Sequence, residues 1–194
     1  MAKRVRLIIA RHTLTDDNVE KRYSGQNYIW LCQIGETQRD ELASELALLH
    51  GICAIVGSDL PRTSEVAECL GRRLGLNPIL TPLLREVDVG KMTDLLKSEA
   101  VETYPGDHHH VSLPTFDFSD IGGESHVSVI KRYELALAFL VNEFGVEDEV
   151  DRALPLVVLV GHGTAFNLVF KHTHHIVEYL HNQGAFQEFV WPTC

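Results

Sequence analysis

The 194-residue sequence has no long apolar run, and this limits the classes of protein to which it can belong. The first apolar run, Leu7–Ala10, is interrupted by Arg11, whereas a helix that crosses a bilayer needs about 20 apolar residues in succession. The same run is too short for the apolar region of a secretory signal peptide. We therefore expect a cytoplasmic protein with no membrane partner and no export signal.

Cysteine is scarce, and its spacing matches no known metal or disulfide pattern. The four cysteines are far apart and form no CxxC pair; they are Cys32, Cys53, Cys69 and Cys194. Scattered cysteines in a chain of this length are typical of reduced thiols rather than of a zinc site or a disulfide framework. We therefore predict no metal site, no cofactor and no structural disulfide.

The chain also lacks an excess of positive charge. It has 17 Lys and Arg against 27 Asp and Glu, which gives a formal net charge of −10. Affinity for the phosphate backbone of nucleic acids requires clustered cations, so we expect no nucleic-acid partner. A phosphorylated small molecule needs only a few local cations and stays compatible with this balance. The length and the 45% hydrophobic content predict one globular domain over residues 1–194.

Short apolar runs alternate with stretches of helical periodicity along most of the chain. Alternating strands and helices predict an α/β fold, a three-layer α/β/α sandwich with a mostly parallel sheet and right-handed crossovers. The predicted strands are Val5–Ala10, Cys53–Ser58, Ile79–Leu80 and Leu156–Val160. The predicted helices lie between Gly35 and Gly51, between Pro61 and Gly75, at about 93–103, at His126–Phe144 and after the sequence GHG.

Two segments depart from this alternation. The pattern weakens between about residues 90 and 125, where turn residues are frequent, and we predict a small cap excursion there. The last apolar stretch, AFQEFVW (Ala185–Trp191), alternates as an edge strand does. An exposed edge can pair with a second copy, so a homodimer is a candidate assembly.

Polar residues follow each predicted strand at its carboxyl end. Arg11 and His12 follow the first strand, and His162 follows the fourth. The others are Arg62, in the first turn after the second strand, and the pair Glu86 and Asp88, after the third. Because ligands bind at the carboxyl ends of parallel strands, we predict a site that gathers these residues.

These residue types suit phosphoryl transfer. The forked guanidinium of Arg matches the oxygens of a phosphate dianion. A neutral imidazole can attack phosphorus when its other ring nitrogen is held by a hydrogen bond, and a second His can stabilise the transferred group. A carboxylic acid can protonate the leaving alkoxide. Such a site requires no metal.

The chain resembles the histidine phosphatase superfamily, also called the phosphoglycerate mutase-like fold. ARHTLTDDN is similar to the family's Arg-His-Gly signature, and SDLPRTSEVAE to its segment with the second Arg. Further resemblances follow in the same order along the chain, in RYSGQNYIWLCQIGETQ, LLREVDVG, GGES and LVGHGT. One such piece is weak support, but an ordered series at strand ends is a specific match.

The resemblance implies a role for each site residue. His12 would be the nucleophile that becomes phosphohistidine, and Glu86 the proton donor that later activates water. The phosphate pocket would consist of Arg11, Arg62 and His162. Further phosphate or substrate contacts would come from Asn18 and Gly25, with Thr63 and Gly163 flanking the pocket.

The sequence departs from the family pattern at three places. Thr13 and Leu14 stand where the family has Gly and an acidic residue, so Thr13 is expected to add a side chain beside the phosphate. GKMTD (Gly90–Asp94) replaces a Trp-Glu-Gly-like group. The last change concerns the side of the pocket that contacts the rest of the substrate.

Several other polar residues have simpler interpretations. We interpret Asp107–His110 as a solvated loop rather than a metal cluster, with a substrate contact by one His as the minority alternative. His172, His174 and His175 suit the C-terminal end of a helix and the surface. Ser125 suits a helix cap rather than a nucleophile. Asp88 stays an alternative to Glu86 as the proton donor.

The predicted function is a metal-independent phosphatase that hydrolyses a small phosphorylated metabolite. One alternative is a mutase, which would release little phosphate and respond to a bisphosphorylated primer. A second is a phosphoprotein phosphatase acting on phosphohistidine, whose activity would be insensitive to Glu86→Gln. A third is a catalytically silent phospho-ligand sensor, which would bind phosphate or vanadate without turnover.

Overall fold

The computed structural model describes residues 3–106, 109–110, 115–147, 154–176 and 182–192. Within these residues, no helix is both long and apolar enough to cross a membrane. The strands are β1 (Lys3–Arg11), β2 (Ile52–Ser58), β3 (Ile79–Thr81), β4 (Val146–Glu147), β5 (Leu156–Gly161) and β6 (Phe186–Trp191). The helices are α1 (Asp16–Glu20), α2 (Gln33–Ala47), α3 (Pro61–Leu74), α4 (Lys97–Thr103), α5 (His126–Phe144) and α6 (Gly163–Phe166), which continues as a π-helix over Asn167–Thr173.

The sheet is mostly parallel, as predicted. Its parallel part has the order β3-β2-β5-β1, and β1 pairs with β5 from Arg6 opposite Leu156 to Arg11 opposite Gly161. The predicted last strand, β6, pairs antiparallel with β1 and with no other described strand. β4 pairs antiparallel with the first residues of β1. Since β1 and β5 are neighbours in parallel, their carboxyl ends lie side by side.

The central strands are buried on both faces because a layer of helices covers each face. Alternate residues of β1 point to opposite sides: Leu7 and Ile9 pack with α5 and the π-helix, and Ile8 and Ala10 pack with α2 and α3. All four are fully buried. Burial of one large aliphatic side chain contributes about 1.5–3 kcal/mol, so these two layers fix the position of the strand ends.

The helix boundaries follow their sequence signals in two cases. α3 begins at Pro61 and ends at Leu74, and the residue that caps it, Gly75, has a φ of +70°. α5 spans His126–Phe144 as predicted, and the side chain of Ser125 accepts a hydrogen bond from the N–H of Ser128 at 3.3 Å. The interpretation of Ser125 as a helix cap is confirmed.

The helix predicted at about 93–103 is shorter than expected. It begins only at Lys97, because Asp94 has a φ of +69° and the preceding backbone is used elsewhere. The N–H of Asp94 donates to the carbonyl of Tyr23, and the N–H of Tyr23 donates to the carbonyl of Leu95. These tertiary hydrogen bonds replace the first turn of the predicted helix.

The interpretation of the DHHH segment as a solvated loop is wrong for His109. His109 is only 7% exposed, its ring stacks on Phe118 at a centroid distance of 5.8 Å, and its Nε2 lies 3.0 Å from Asp120 Oδ1. Aromatic packing therefore outweighs the polar character of the segment. Asp107 and His108 lie outside the described residues.

His172, His174 and His175 lie at the end of the π-helix, as predicted, but His174 also makes tertiary contacts. Its Nε2 is 2.7 Å from Glu134 Oε1, and its ring lies 4.7 Å from that of Trp191. His174 thus joins α5 and β6 instead of standing at the surface.

Candidate active site

The sheet register brings the two predicted site histidines together. The N–H of His12 donates to the carbonyl of Gly161 at 3.0 Å, so the chain leaves β1 directly beside the end of β5. His162 is the next residue after Gly161, and the rings of His12 and His162 lie 5.3 Å apart between centroids. Two residues separated by 150 positions in the sequence therefore become neighbours.

The environment of His12 keeps its imidazole neutral and fixes its tautomer. Its Nδ1 lies 2.7 Å from the carbonyl oxygen of Thr13, which can only accept, so Nδ1 carries the proton and Nε2 has a free lone pair. Burial, followed by the charges of Arg62 and Arg11, lowers the pKa of His12 well below its usual value; the Thr13 carbonyl opposes this. A neutral imidazole with a free Nε2 is the form required of a nucleophile.

Arg62 is buried, and the loop that follows α1 holds its side chain. Its Nη1 donates to the carbonyl of Asn27 at 2.9 Å and its Nη2 to that of Gly25 at 2.8 Å. Burial lowers the pKa of Arg62 to about 10, and the charge of Glu86 opposes this shift. The guanidinium therefore stays cationic at neutral pH and is fixed in orientation. Burial also lowers the pKa of Arg11, against the opposing charge of Glu86.

Asn18 and Gly25, the two further contacts implied by the resemblance, both line the pocket. Asn18 Oδ1 accepts from the N–H of Thr15 at 3.2 Å, closing a capping box at the start of α1. This leaves the amide NH₂ of Asn18 as its donor for a ligand. Gly25 has a φ of +49°, which other residues adopt at a cost, and its carbonyl accepts from Arg62.

Glu86, and not Asp88, lines the pocket. Its Oε1 accepts from the N–H groups of Val87 and Ala165 at 2.9 Å each, and its Oε2 from the N–H of Thr164 at 3.2 Å. The carboxylate is thereby fixed against the start of α6. Asp88 Oδ1 instead accepts from the N–H of Gly90 at 2.9 Å and stabilises a turn.

Three predicted site residues lie behind the pocket wall rather than on it. His162 is fully buried, and neither of its ring nitrogens has a hydrogen-bond partner among the described residues. Burial, followed by the charges of Arg62 and His12, lowers its pKa well below the usual value. A Cβ on Gly163 would lie 2.8 Å from Arg11 Cζ, so this glycine makes room for the guanidinium. Thr63 donates to the carbonyls of Ser58 and Leu60.

Neither Thr13 nor Leu14, two of the departures from the family pattern, lines the pocket. The hydroxyl of Thr13 donates to the carbonyl of Gly35 at 2.7 Å, and Thr13 is not among the lining residues. The carbonyl of Leu14 accepts from the N–H of Cys32, and its N–H donates to Gln38 Oε1; Cys32 and Gln38 lie next to and on α2. The expected side chain beside the phosphate is therefore directed into the contact with α2.

Sequence reasoning missed seven residues that line the pocket, among them Arg22 and Lys97, which are more exposed than Arg62 and form the mouth. They are Arg22, Tyr23, Ser24, Val87, Val89, Lys97 and Thr164. Arg22 forms an antiparallel bridge with Leu96, and the N–H of Lys97 donates to the carbonyl of Lys21 at 2.9 Å. Arg22 lies within a quoted motif, but no sequence pattern indicates that it meets α4.

The pocket can hold a phosphate and stabilise it. Its volume is about 80 Å³, small beside the roughly 300–1,000 Å³ of typical ligand sites, so it admits a phosphoryl group while the rest of a substrate lies at the mouth. Four cationic side chains and one carboxylate line it: Arg11, Arg22, Arg62, Lys97 and Glu86. Within the described residues, no group of His, Cys, Asp and Glu could hold a metal ion.

Comparisons with known proteins agree with this geometry. A family model described as histidine phosphatase superfamily (branch 1) matches residues 7–183. Glucosyl-3-phosphoglycerate phosphatase of Mycobacterium tuberculosis is 36% identical over 161 residues, which cover 81% of this chain and 70% of that protein. A probable phosphoglycerate mutase GpmB of Enterobacter is 32% identical over 134 residues, which cover 69% of this chain and 62% of that protein.

A solved structure of mycobacterial glucosyl-3-phosphoglycerate phosphatase superposes with a TM-score of 0.79 at 30% identity, covering 97% of this chain and 91% of that one. The predicted family and fold are thereby confirmed, and so is the enzyme class, a histidine-type phosphatase with a small phosphorylated substrate. The chain belongs to branch 1 of the histidine phosphatase superfamily.

Proposed function

We propose that this chain hydrolyses a phosphomonoester in two steps through a phosphohistidine on His12. The observation that carries the proposal is the His12 imidazole: it is neutral, its proton is held on Nδ1 by the Thr13 carbonyl, and its Nε2 is free. Arg11 and Arg62 lie beside it, and Glu86 lines the same pocket. This is the arrangement that in-line attack on a phosphate dianion requires.

In the first step, Nε2 of His12 bonds to phosphorus as the bond to the leaving oxygen breaks. Protonated Glu86 gives its proton to that oxygen, and the alcohol departs. Arg11 and Arg62 offset the charge of the phosphoryl oxygens. The buried ring of His162, next to that of His12, supplies one N–H donor for the same oxygens. In the second step, the Glu86 carboxylate takes a proton from water, the water oxygen bonds to phosphorus, and the bond to Nε2 breaks. Inorganic phosphate leaves.

Hydrolysis is favoured over phosphoryl transfer to a second substrate. The alignment with the phosphatase is longer than that with the mutase and covers more of the relative. A mutase is the second candidate because the relatives of this chain include probable phosphoglycerate mutases. The silent sensor loses part of its support, since neither Thr13 nor Leu14 lines the pocket.

We propose a small substrate that carries a second anionic group besides its phosphate. Arg22 and Lys97 line the same pocket as Arg11 and Arg62, and the Nε of Arg22 also donates to Glu20 Oε2 at 2.7 Å. The name of the mycobacterial relative describes such a substrate, a phosphoglycerate derivative. Lys97, which belongs to segment 90–125, lines the mouth of the pocket. This supports a role for the segment as the cap of a single domain. A cytoplasmic location and a homodimer through β6 remain predictions.

The first test is hydrolysis of p-nitrophenyl phosphate in EDTA, with wild type and His12→Ala in parallel. We expect activity that survives chelation and falls by at least about a thousandfold in His12→Ala, because the nucleophile is lost. Circular dichroism should show that the variant remains folded. An active His12→Ala would reject the nucleophile. A silent wild type that still binds vanadate would favour the mutase or the sensor, and a bisphosphorylated primer would separate those two.

A further inference from the structure

We propose that Arg132 and Glu124, which do not line the pocket, are positioning residues that hold Glu86 in place for proton transfer. The inference rests on the proposed function, in which Glu86 is the acid. It concerns the ion pair between Arg132, on α5, and Glu124, just before α5, which contacts the backbone on both sides of Glu86.

Arg132 uses every N–H of its guanidinium. Its Nη1 donates to the carbonyls of Leu83 and Arg85 at 2.9 and 2.6 Å, and its Nη2 donates to the carbonyl of Glu86 at 2.9 Å. The other donors go to Glu124, from Nε to Oε1 at 2.9 Å and from Nη2 to Oε2 at 3.0 Å. Three backbone carbonyls that lead up to and include Glu86 are thus held by one side chain.

Glu124 fixes the backbone on the other side of Glu86. Its Oε2 accepts from the N–H of Asp88 at 3.0 Å, and its own N–H donates to the carbonyl of Asp88 at 2.8 Å. The ion pair with Arg132 is largely buried, the two side chains being 13% and 20% exposed. The segment that carries Glu86 is therefore held from both ends by one pair.

Gln26 connects this pair to the phosphate end of the pocket. Its Nε2 donates to the carbonyl of Glu86 at 3.1 Å and to Glu124 Oε2 at 3.3 Å. Gln26 lies between Gly25 and Asn27, whose carbonyls hold Arg62. The acid and the phosphate-binding guanidinium thus share one support, which sets their relative position.

Such a support is needed because Glu86 lies on irregular backbone. Residues 85–89 belong to no helix or strand, so no ladder of backbone hydrogen bonds fixes them. A displacement of about 1 Å in a catalytic group can cost on the order of 100-fold in rate. The three N–H donors to its carboxylate fix only the end of the side chain. Arg132 and Glu124 supply the constraint on the backbone.

The test uses aryl phosphates of similar shape whose leaving groups range from p-nitrophenol to phenol. A poor leaving group needs the acid more than a good one does, so displacement of Glu86 steepens the decline of kcat/KM along the series. We expect Arg132→Lys and Glu124→Gln to lower kcat/KM for phenyl phosphate by about ten- to hundredfold more than for p-nitrophenyl phosphate. Arg132→Lys keeps the charge but cannot make five hydrogen bonds.

Tyr133→Phe is the matched control. The Tyr133 hydroxyl, on the neighbouring residue of α5, donates to the carbonyl of Leu84 at 2.9 Å, so its loss weakens the same segment without releasing Glu86. This variant should lower kcat/KM equally along the series. If Glu86→Gln steepens the series but Arg132→Lys and Glu124→Gln do not, the inference is overturned and the proposed function stands. If Glu86→Gln leaves the series unchanged, the acid role of Glu86 fails and the inference with it.

Discussion

The inner and outer ends of the pocket are built in different ways. At the inner end, His12 directly follows β1, and Arg62 lies in the first turn of α3. The buried sheet and its helical layers fix the ends of both elements. At the outer end, Arg22 and Lys97 come from a loop and a short helix held together by a few backbone hydrogen bonds. We propose that the inner end determines the chemistry and that the outer end selects which phosphomonoester is processed.

The largest effect on activity is expected in the pocket, as a difference in kcat/KM between variants of the two candidate acids, Glu86 and Asp88. Glu86→Gln should lower kcat/KM for phenyl phosphate by about 10²–10⁴-fold, because it cannot protonate the leaving oxygen. Asp88→Asn should leave activity within a few-fold of wild type, since Asp88 caps a turn outside the pocket. Steady-state kinetics on both variants measure this. Equal losses would make Asp88 a candidate acid again.

A smaller effect is expected at the outer end. Arg22→Gln combined with Lys97→Gln should raise KM about tenfold for a phosphomonoester that also carries a carboxylate, because a charge-assisted contact is lost there. The same variant should hydrolyse p-nitrophenyl phosphate as the wild type does. Phosphoglycerate and p-nitrophenyl phosphate, measured side by side, separate the two ends. A matching loss on both substrates would contradict the division of roles.

A different kind of effect, on stability against pH, is expected from the two buried histidines at the inner end. Burial lowers the pKa of His12 and His162, so below about pH 6.5 the unfolded chain binds protons that the folded chain does not. Stability is then constant above that pH and decreases as the pH falls, by at most about 1.4 kcal/mol per pH unit for each histidine. Urea unfolding at several pH values tests this prediction.

His12→Asn should reduce the slope of that decline, because it removes one of the two histidines whose pKa is lowered. Lys97→Gln, a change at the outer end, should leave the slope as it is in the wild type. A wild-type stability independent of pH between 5 and 7 would contradict the neutral, buried histidines.

Local pattern predicted the inner end because each of its residues stands at a fixed offset from a strand. His12 and His162 directly follow apolar runs, and the sheet register alone brings their rings together. The choice between Glu86 and Asp88 could not be made in this way. The two are equivalent in spacing, and only the hydrogen bonds to the start of α6 and to Gly90 separate them.

The sequence by itself determined where the strands lie, where the chain turns after them, and which polar residues follow each strand. Hydrophobic burial enforces that pattern locally, so it can be recognised in the sequence. Tertiary structure alone decided the burial of His109, the contact of Arg22 with α4, and the support of Glu86 by Arg132. These depend on hydrogen bonds and packing between residues far apart in the chain, for which no local periodicity exists.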